Sequence, residues 1–300
     1  MPTSSPRTSN GREVASFVTR RHDTYPLILP ANADLSGKSM LVTGASKGLG
    51  KAAAIRFAMA GCSKIALAAR SPLNETETEV KAAAVAAGHP EPHVLKLTVN
   101  VSVESSVQKA AQVVSEAFGG SLDVLIANAG YSADWDRPLA ESDASDWWQT
   151  WETNVKGTYL CARYFLPQLL ASSLKTVLSL SSTGAHQIFP GASAYQTSKF
   201  AVCRLTEFLD QEYHAQGLVA VAIHPGGVQT EMAQKIPEQL REIVIDTTPD
   251  LAADAMVWLA KERREWLAGR YFECNWDVKD LEDRKNEIVD KDLLKFRLRI

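Results

Sequence analysis

The stretch SMLVTGASKGLG, residues 39–50, joins a short apolar run to a glycine-rich loop that leads into a helical pattern. A loop in this position can present backbone N–H groups and a helix N-terminus to a pyrophosphate. Gly44 would permit the tight turn, Gly48 the close approach of backbone to phosphate, and Gly50 the packing of helix against strand. The stretch therefore predicts a nucleotide site at the end of the first strand of an α/β sheet.

Further β-rich runs follow this strand, and helical patterns separate them. The seven candidate strands are 39–44, 64–69, 93–99, 122–128, 176–181, 219–225 and 270–274. The helical stretches are 48–60, 76–87, 104–118, 153–171, 193–215 and 250–261. Strands that are apolar throughout and alternate with helices are typical of a parallel sheet covered on both faces. We predict a Rossmann-like, doubly wound α/β fold with about seven strands in a single domain.

The chain shows no change of composition that would mark a second domain. We predict a dinucleotide-binding and catalytic domain over 34–276, with an N-terminal arm over 1–33 and an amphipathic extension over 277–300. Residues 1–12 are rich in Ser and Thr and are expected to be disordered. Residues 22–30, HDTYPLILP, carry enough apolar side chains to pack.

Composition excludes several classes of protein. Of the 300 residues, 45% are hydrophobic and 22% are charged, and the net charge of −3 gives no attraction for nucleic acid. No apolar run is long enough for a membrane helix. Arginines before residue 22, among them Arg20 and Arg21, faintly resemble a transit peptide, but Glu13 and Asp23 interrupt that pattern. We therefore expect a cytoplasmic protein that binds neither nucleic acid nor membrane.

The sequence contains no pattern typical of a metal site. There is no CxxC pair and no His cluster at metal-ligand spacing. We expect four reduced, mostly buried thiols, at Cys62, Cys161, Cys203 and Cys274. His186 and His224 lie near the candidate site in sequence, but a lone histidine is more often a satisfied structural residue.

A second group of chemical interest lies in SSTGAHQIFPGASAYQTSKF, residues 181–200. If residues 192–208 form a helix, Tyr195 and Lys199 lie on one face about one turn apart. The ordinary pKa of tyrosine is about 10, so acid–base catalysis at neutral pH needs a nearby cation, which Lys199 supplies. Taken alone, Tyr195 could be a half-buried amphipathic residue and Lys199 an exposed charge.

The end of the second strand bears on the choice of nucleotide. NAD enzymes generally place a carboxylate there for the ribose 2′-hydroxyl, whereas NADP enzymes need room and positive charge. Here Ala69 occupies the position of the acid, Arg70 follows it, and Lys47 lies in the glycine loop. Each charge alone would be a solvated surface group, but together they could flank a 2′-phosphate. We predict NADP(H) as the cofactor.

Taken together, the short motifs resemble those of the short-chain dehydrogenase/reductase family. The motifs in its order and spacing are TGASKGLG (43–50), ANAG (127–130), Asn154, Ser182, YQTSK (195–199) and PGGVQT (225–230). The resemblance implies that Tyr195 donates a proton, that Lys199 lowers its pKa and binds ribose, and that Ser182, rather than Ser181, orients the substrate oxygen. It also implies that Asn154 helps to hold Lys199 through a water.

The same resemblance implies a set of cofactor-binding residues. Asn100 stands where the family usually has Asp near the adenine, and its side chain can still accept and donate hydrogen bonds. The implied set is Gly44, Ser46, Lys47, Gly48, Leu49, Arg70, Asn100, Val101, Asn128, Gly130, Tyr195, Lys199, Pro225, Gly226, Val228 and Thr230.

The resemblance implies an NADP(H)-dependent oxidoreductase that interconverts a carbonyl and a secondary alcohol on a small, fairly apolar substrate. Residues 22–30 and 292–300 also look like those of fungal members that often serve secondary metabolism. Two alternatives stay open, a non-redox isomerase or cyclase on this scaffold and a non-catalytic NADPH-binding regulator.

Three further expectations concern the surface and the pocket. The resemblance implies a homodimer or homotetramer through helices 153–171 and 193–215, and a substrate lid over 231–250. Candidates for buried contacts on those helices are Phe165, Leu169, Val202 and Leu205. Aromatic residues that could line an apolar pocket, or lie in the core or an interface, are Trp135, Trp147, Trp148 and Trp151.

Overall fold

A parallel sheet of seven strands lies at the centre of the structure. The computed structural model describes residues 17–298, so the predicted disorder of 1–12 falls outside the described residues. The strands are β1 Ser39–Thr43, β2 Lys64–Ala69, β3 His93–Thr98, β4 Val124–Ala127, β5 Thr176–Leu180, β6 Val219–His224 and β7 Arg270–Glu273. Their order in the sheet is β3-β2-β1-β4-β5-β6-β7, and every neighbouring pair is parallel. The predicted doubly wound fold is confirmed.

Helices cover both faces of this sheet. They are α1 Gly48–Met59, α2 Asn74–Ala86, α3 Glu104–Phe118, α4 Ala144–Trp151, α5 Gly157–Leu170, α6 Ser193–Tyr213, α7 Glu238–Val244, α8 Pro249–Ala260, α9 Val278–Asp283 and α10 Lys285–Asp290. Along β1, Met40 and Val42 belong to one buried apolar cluster and Leu41 to the other, as the alternation of side chains on a strand requires. Among residues 17–298, no helix combines the length and apolar character that a membrane span needs.

The predicted helix over 153–171 differs from the observed one at its start. A π-helical turn, Glu152–Lys156, continues α4 and leads directly into α5. Single π turns of this kind are frequent at functional sites, because the wider turn reorients a side chain. Here the turn contains Asn154, which is buried.

The strand order reverses between β1 and β4, and this reversal opens a crevice at the carboxyl edge of the sheet. The loops that follow these two strands are tied together by hydrogen bonds. The backbone N–H groups of Asn128 and Ala129 donate to the Thr43 hydroxyl, at 3.0 and 2.9 Å. The Asn128 amide donates to the Thr43 carbonyl oxygen at 2.7 Å. Thr43, which the sequence did not single out, therefore fixes the two loops that border the crevice.

The described parts of the arm and the extension pack against the main domain. Tyr25 and Ile28 of the arm and Ile288 of the extension belong to the same buried cluster as the sheet. The Tyr25 hydroxyl accepts a hydrogen bond from the backbone N–H of Val278 at 2.8 Å. The domain boundaries proposed at 34 and 276 stay a prediction.

The four cysteines are buried free thiols, as the sequence predicts. Burial raises the pKa of Cys161 to about 12, so this thiol stays protonated at neutral pH.

Candidate active site

A large cavity opens at the carboxyl edge of the sheet. Its volume is about 1020 Å³, and the loops after β1, β2, β4, β5 and β6 contribute to its walls. Every residue of the predicted cofactor set lines it, and so does Ser182. Asn154 is the one predicted site residue that does not line it. The sequence motifs, which are spread over almost two hundred positions, therefore meet in one space.

The glycine loop is shaped for close approach to a phosphate. Gly44 and Gly48 have positive φ angles of +70° and +55°, a conformation that favours glycine. A Cβ atom on Gly50 would lie 2.4 Å from the carbonyl oxygen of Gly44, so helix and loop touch there. Among the described residues, no side chain caps the N-terminus of α1. Its N–H groups and its dipole thus remain available to a pyrophosphate, which fits the predicted dinucleotide.

Two cations lie at the end of the cavity that β2 reaches. Arg70 is exposed there, and within residues 17–298 it makes no ion pair. Lys47 is paired with the carboxylate of Glu231, a residue of the predicted lid. Because both partners of this pair are largely exposed, it contributes little stability and can exchange for another anion.

The loop after β3 forms the wall next to Arg70. The side-chain carbonyl of Asn100 accepts a hydrogen bond from the backbone N–H of Ser102 at 3.1 Å. Val101 packs closely against α5, since a Cβ on Gly157 would lie 2.8 Å from its Cγ2. The Asn100 carbonyl is thus used within the loop, and the contacts of this loop with adenine stay a prediction.

Helix α6 presents Tyr195 and Lys199 to the cavity, one turn apart as predicted. The Lys199 ammonium lies 5.5 Å from the centroid of the Tyr195 ring and donates to the carbonyl oxygen of Leu180 at 2.8 Å. Burial lowers the pKa of Lys199 to about 8. Burial also raises the pKa of Tyr195, while a hydrogen bond with Ser182 opposes that rise. The net direction is upward, so the lowering by Lys199 that the resemblance implies is not found in this structure.

The two serines at the end of β5 have different roles. The Ser181 hydroxyl donates to the backbone carbonyl of Lys199 at 2.9 Å and contacts the Cys203 sulfur, so the core uses it. The Ser182 hydroxyl accepts from the Gly184 N–H at 3.0 Å and interacts with the phenol of Tyr195. Of the two serines, Ser182 is therefore the one whose hydroxyl lies beside the Tyr195 phenol.

Asn154 connects the loop after β4 to α6. Its side-chain oxygen accepts from the Tyr131 N–H at 2.8 Å, and its amide donates to the Tyr131 carbonyl and the Ser198 hydroxyl, both at 2.9 Å. The Ser198 hydroxyl in turn donates to the Tyr195 backbone carbonyl at 2.7 Å. Asn154 therefore positions the backbone beneath Tyr195. The water-mediated link to Lys199 that the resemblance implies stays a prediction.

The PGGVQT loop after β6 lies directly against the predicted lid. Gly226 has a φ of +86°, and a Cβ on it would lie 2.4 Å from the Thr247 hydroxyl. The Gly227 carbonyl accepts hydrogen bonds from the N–H groups of Asp246 and Thr247, both at 3.0 Å. A Cβ on Gly227 would lie 1.5 Å from the Val244 carbonyl, so a side chain there would displace the end of α7.

The cavity wall also carries a polar group that was not predicted as part of the site. Arg20, His186, His224 and Glu273 all line the cavity. The expectation of a satisfied structural histidine is wrong for His224, whose Nδ1 has no hydrogen-bond partner among residues 17–298. Its position immediately before the PGGVQT motif was the one available signal.

Of the four tryptophans considered for the pocket, Trp135 lines the cavity, and its ring centroid lies 5.7 Å from that of Tyr195. The rings of Trp147, Trp148 and Trp151 contact one another outside it, and Trp148 is 60% exposed. The predicted apolar pocket therefore includes Trp135 alone of this set.

Solved structures with this architecture support the fold. A 3-ketoacyl-(acyl-carrier-protein) reductase from Brucella melitensis, complexed with NADH, aligns with a TM-score of 0.68 at 24% identity, over 80% of this chain and 97% of its own. Carveol dehydrogenase from Mycobacterium avium, in complex with NAD, aligns with a TM-score of 0.69 at 19% identity. That alignment covers 80% of this chain and 97% of the dehydrogenase.

Sequence comparison identifies closer relatives. The chain is 51% identical over 284 residues to short chain dehydrogenase mpl6 of Monascus purpureus. This alignment covers 94% of this chain and 96% of the relative. It is 41% identical over 282 residues to short chain dehydrogenase andI of Emericella variicolor, over 94% and 96%. The family model for short chain dehydrogenases matches residues 38–241. The chain therefore belongs to the short-chain dehydrogenase family.

Proposed function

We propose that the protein is an NADP(H)-dependent oxidoreductase that interconverts a carbonyl and a secondary alcohol on a small, fairly apolar substrate. The observation that carries this proposal is the meeting of Tyr195, Ser182 and Lys199 in the same cavity as the glycine loop. A dinucleotide bound along that cavity would extend from Arg70 towards Tyr195.

The residues present fit such a cofactor. The loop 44–50 and the N-terminus of α1 would hold the pyrophosphate, and Arg70 would bind the 2′-phosphate. Lys199 would bind the nicotinamide ribose, and the loop 225–230 would hold the carboxamide. Bound there, NADPH supplies a hydride to the substrate carbon.

Tyr195 would protonate the substrate oxygen in the same reaction. The raised pKa of its phenol keeps the proton on the ring at neutral pH, which suits a general acid in the direction of reduction. The positive charge of Lys199 and the hydroxyl of Ser182 would stabilise the phenolate left after transfer. Trp135 and Phe189, whose rings stack at 6.5 Å, would hold an apolar part of the substrate beside Tyr195.

A screen of ketones and aldehydes, followed by NADPH absorbance and chromatography of the products, tests the function. We expect substrate-dependent loss of NADPH with formation of the alcohol. Conversion of a substrate with no net loss of NADPH would instead indicate an isomerase or cyclase. Tight NADPH binding with no turnover of a broad panel would indicate a regulator.

Arg70→Ala is expected to weaken NADPH far more than NADH. The loss of one charge-assisted contact with the 2′-phosphate costs on the order of 1.5–3 kcal/mol, about one to two decades in affinity. Fluorescence titrations with both nucleotides would measure this difference. Lys109→Ala removes an exposed charge outside the cavity and serves as the control. Equal weakening of NADPH and NADH would exclude Arg70 as the phosphate ligand.

We also propose a homo-oligomer through the outer faces of α5 and α6. Three of the four candidates, Phe165, Leu169 and Val202, are buried in the chain's own core, with exposures of 1%, 0% and 0%, so they are not interface residues. The fourth, Leu205, is half-buried. Exposed apolar side chains on the same two helices include Tyr159 and Phe208, at 44% and 55%.

Phe208→Glu is therefore expected to shift the protein towards the monomer in sedimentation at micromolar concentration, because a charge opposes burial of an apolar surface. Val85→Glu, on α2, changes an equally exposed apolar residue elsewhere and should leave the distribution unchanged. A monomeric wild-type protein would contradict the proposal.

A further inference from the structure

One wall of the cavity carries a polar group that the proposed proton transfer does not use. We call Arg20, His186, His224 and Glu273 the arm cluster, because Arg20 belongs to the N-terminal arm. His224 and Glu273 are register partners at the ends of β6 and β7. The arm thus brings a cation to the carboxyl edge of the sheet.

Backbone pairing fixes the position of Arg20. An antiparallel bridge joins Arg20 to Trp276, and the Arg21 N–H donates to the Asn275 carbonyl at 2.7 Å. In an extended segment, neighbouring side chains point to opposite sides. Arg21 accordingly forms an ion pair with Asp277 at 2.6 Å, whereas Arg20 lines the cavity.

The carboxylate of Glu273 is already engaged by the protein. It is 1% exposed, and it accepts from the Tyr271 hydroxyl at 3.2 Å and from Nη2 of Arg20 at 3.3 Å. His186 Nε2 lies 3.7 Å from the same carboxylate. Asp246, another acid on the cavity wall, is paired with His22 at 3.2 Å. The carboxylates on this side are therefore already engaged by side chains of the protein.

The hydrogen-bonding groups that the protein leaves unpaired on this wall are mainly nitrogen atoms. Within residues 17–298, Nε and Nη1 of Arg20 make no hydrogen bond, and the Arg20 side chain is 34% exposed. His224 is 7% exposed, lines the cavity, and has the unpartnered Nδ1 described above. Burial lowers its pKa to about 4, so it is neutral at neutral pH. This Nδ1 atom is itself buried, so the group on this wall that a ligand can reach is the Arg20 guanidinium.

We propose that Arg20 binds a carboxylate on the substrate, so that the N-terminal arm determines which carbonyl compounds are accepted. The planar guanidinium presents parallel N–H groups that match the two oxygens of a carboxylate. Glu273 holds the guanidinium in place, and His186 lies beside that carboxylate; both are positioning residues. This inference rests on the proposed function, because the same cavity must hold the reacting carbonyl near Tyr195.

Paired substrates test the inference. We would measure kcat/KM with NADPH for 4-acetylbenzoate and for its methyl ester, which differ in the carboxylate alone. In Arg20→Gln the ratio of acid to ester should fall about 10- to 100-fold, mainly through the KM of the acid, as expected for one lost charge-assisted contact. Arg20→Lys keeps the charge without the planar fork and should retain part of the preference.

Arg21→Gln is the matched control. It removes the same charge from the next position and breaks the ion pair with Asp277, but Arg21 does not line the cavity. The ratio of acid to ester should therefore stay at the wild-type value. Equal changes of that ratio in Arg20→Gln and Arg21→Gln would show that the arm acts through folding alone, and would overturn the proposal.

A binding measurement separates this inference from the proposed function. Ligand-observed NMR with the enzyme–NADPH complex can compare benzoate with benzamide, and it requires no hydride transfer. We expect benzoate to bind more tightly, and Arg20→Gln to abolish the difference. Equal binding of the two probes by the wild-type protein would overturn the carboxylate site, whether or not any ketone is reduced.

Discussion

Tyr195→Phe is expected to remove most of the hydride-transfer activity while NADPH binding persists. The change deletes the hydroxyl alone, and the loss of a general acid typically lowers turnover about 10²- to 10⁴-fold. The ring that contacts Trp135 remains, so the cavity wall should keep its shape. Lys199 also remains to bind the ribose. The effect should therefore fall on the rate constant rather than on cofactor affinity.

Single-turnover hydride transfer and fluorescence titration with NADPH would separate these two quantities. Tyr131→Phe provides a matched control. It removes a phenolic hydroxyl that donates to Asp146, and Tyr131 does not line the cavity. That control should retain most of the wild-type rate. Near-normal turnover in Tyr195→Phe would mean that the spacing of Tyr195 and Lys199 has no catalytic meaning, and the proposed mechanism would have to be abandoned.

The features that could be predicted from the sequence are those whose geometry is local. Tyr195 and Lys199 share a helix, so four positions of separation suffice to place them on one face. The glycine loop follows its strand directly, and close contact between Gly44 and Gly50 requires glycine within a few residues. The periodicity of buried strands and helices likewise predicted the seven strands of the sheet.

The features that could not be predicted depend on contacts between distant segments. His224 and Glu273 become neighbours only through the register of β6 and β7, and Arg20 joins them through pairing with residue 276. Local sequence contains no information on such a register. The same holds for Phe165, since an apolar helix residue faces the core or a partner according to how the helix is covered.

Lys199→Met is expected to lower both cofactor affinity and turnover, yet to leave the folded protein at least as stable at neutral pH. Lys199 would bind the ribose and stabilise the phenolate, so NADPH affinity should fall about 10- to 100-fold and turnover by about 10² or more. The side chain is 4% exposed, and methionine has nearly the same length without the charge.

The stability argument follows from the lowered pKa. The Lys199 pKa is about 8 in the folded protein and about 10.4 in an unfolded chain, so the unfolded state binds more protons between these values. Stability therefore rises with pH across that window, and the full cost of burying the charge is present below about pH 8. That cost is on the order of 3 kcal/mol at neutral pH. Loss of the hydrogen bond to Leu180 would offset about 1 kcal/mol of the gain.

Thermal unfolding of the cofactor-free protein at about pH 7 and about pH 10 tests this sign, because the two values lie on either side of the lowered pKa. The advantage of Lys199→Met over the wild-type protein should be largest at the lower pH and should shrink at the higher one. Lys109→Met, at an exposed position outside the cavity, should show no such dependence. Normal NADPH binding by Lys199→Met would exclude the ribose contact. A stability difference that is the same at both pH values would show instead that burial of the ammonium costs no stability. Lys199 would then be a packing residue, and not a charge that the fold buries at a cost because the reaction needs it.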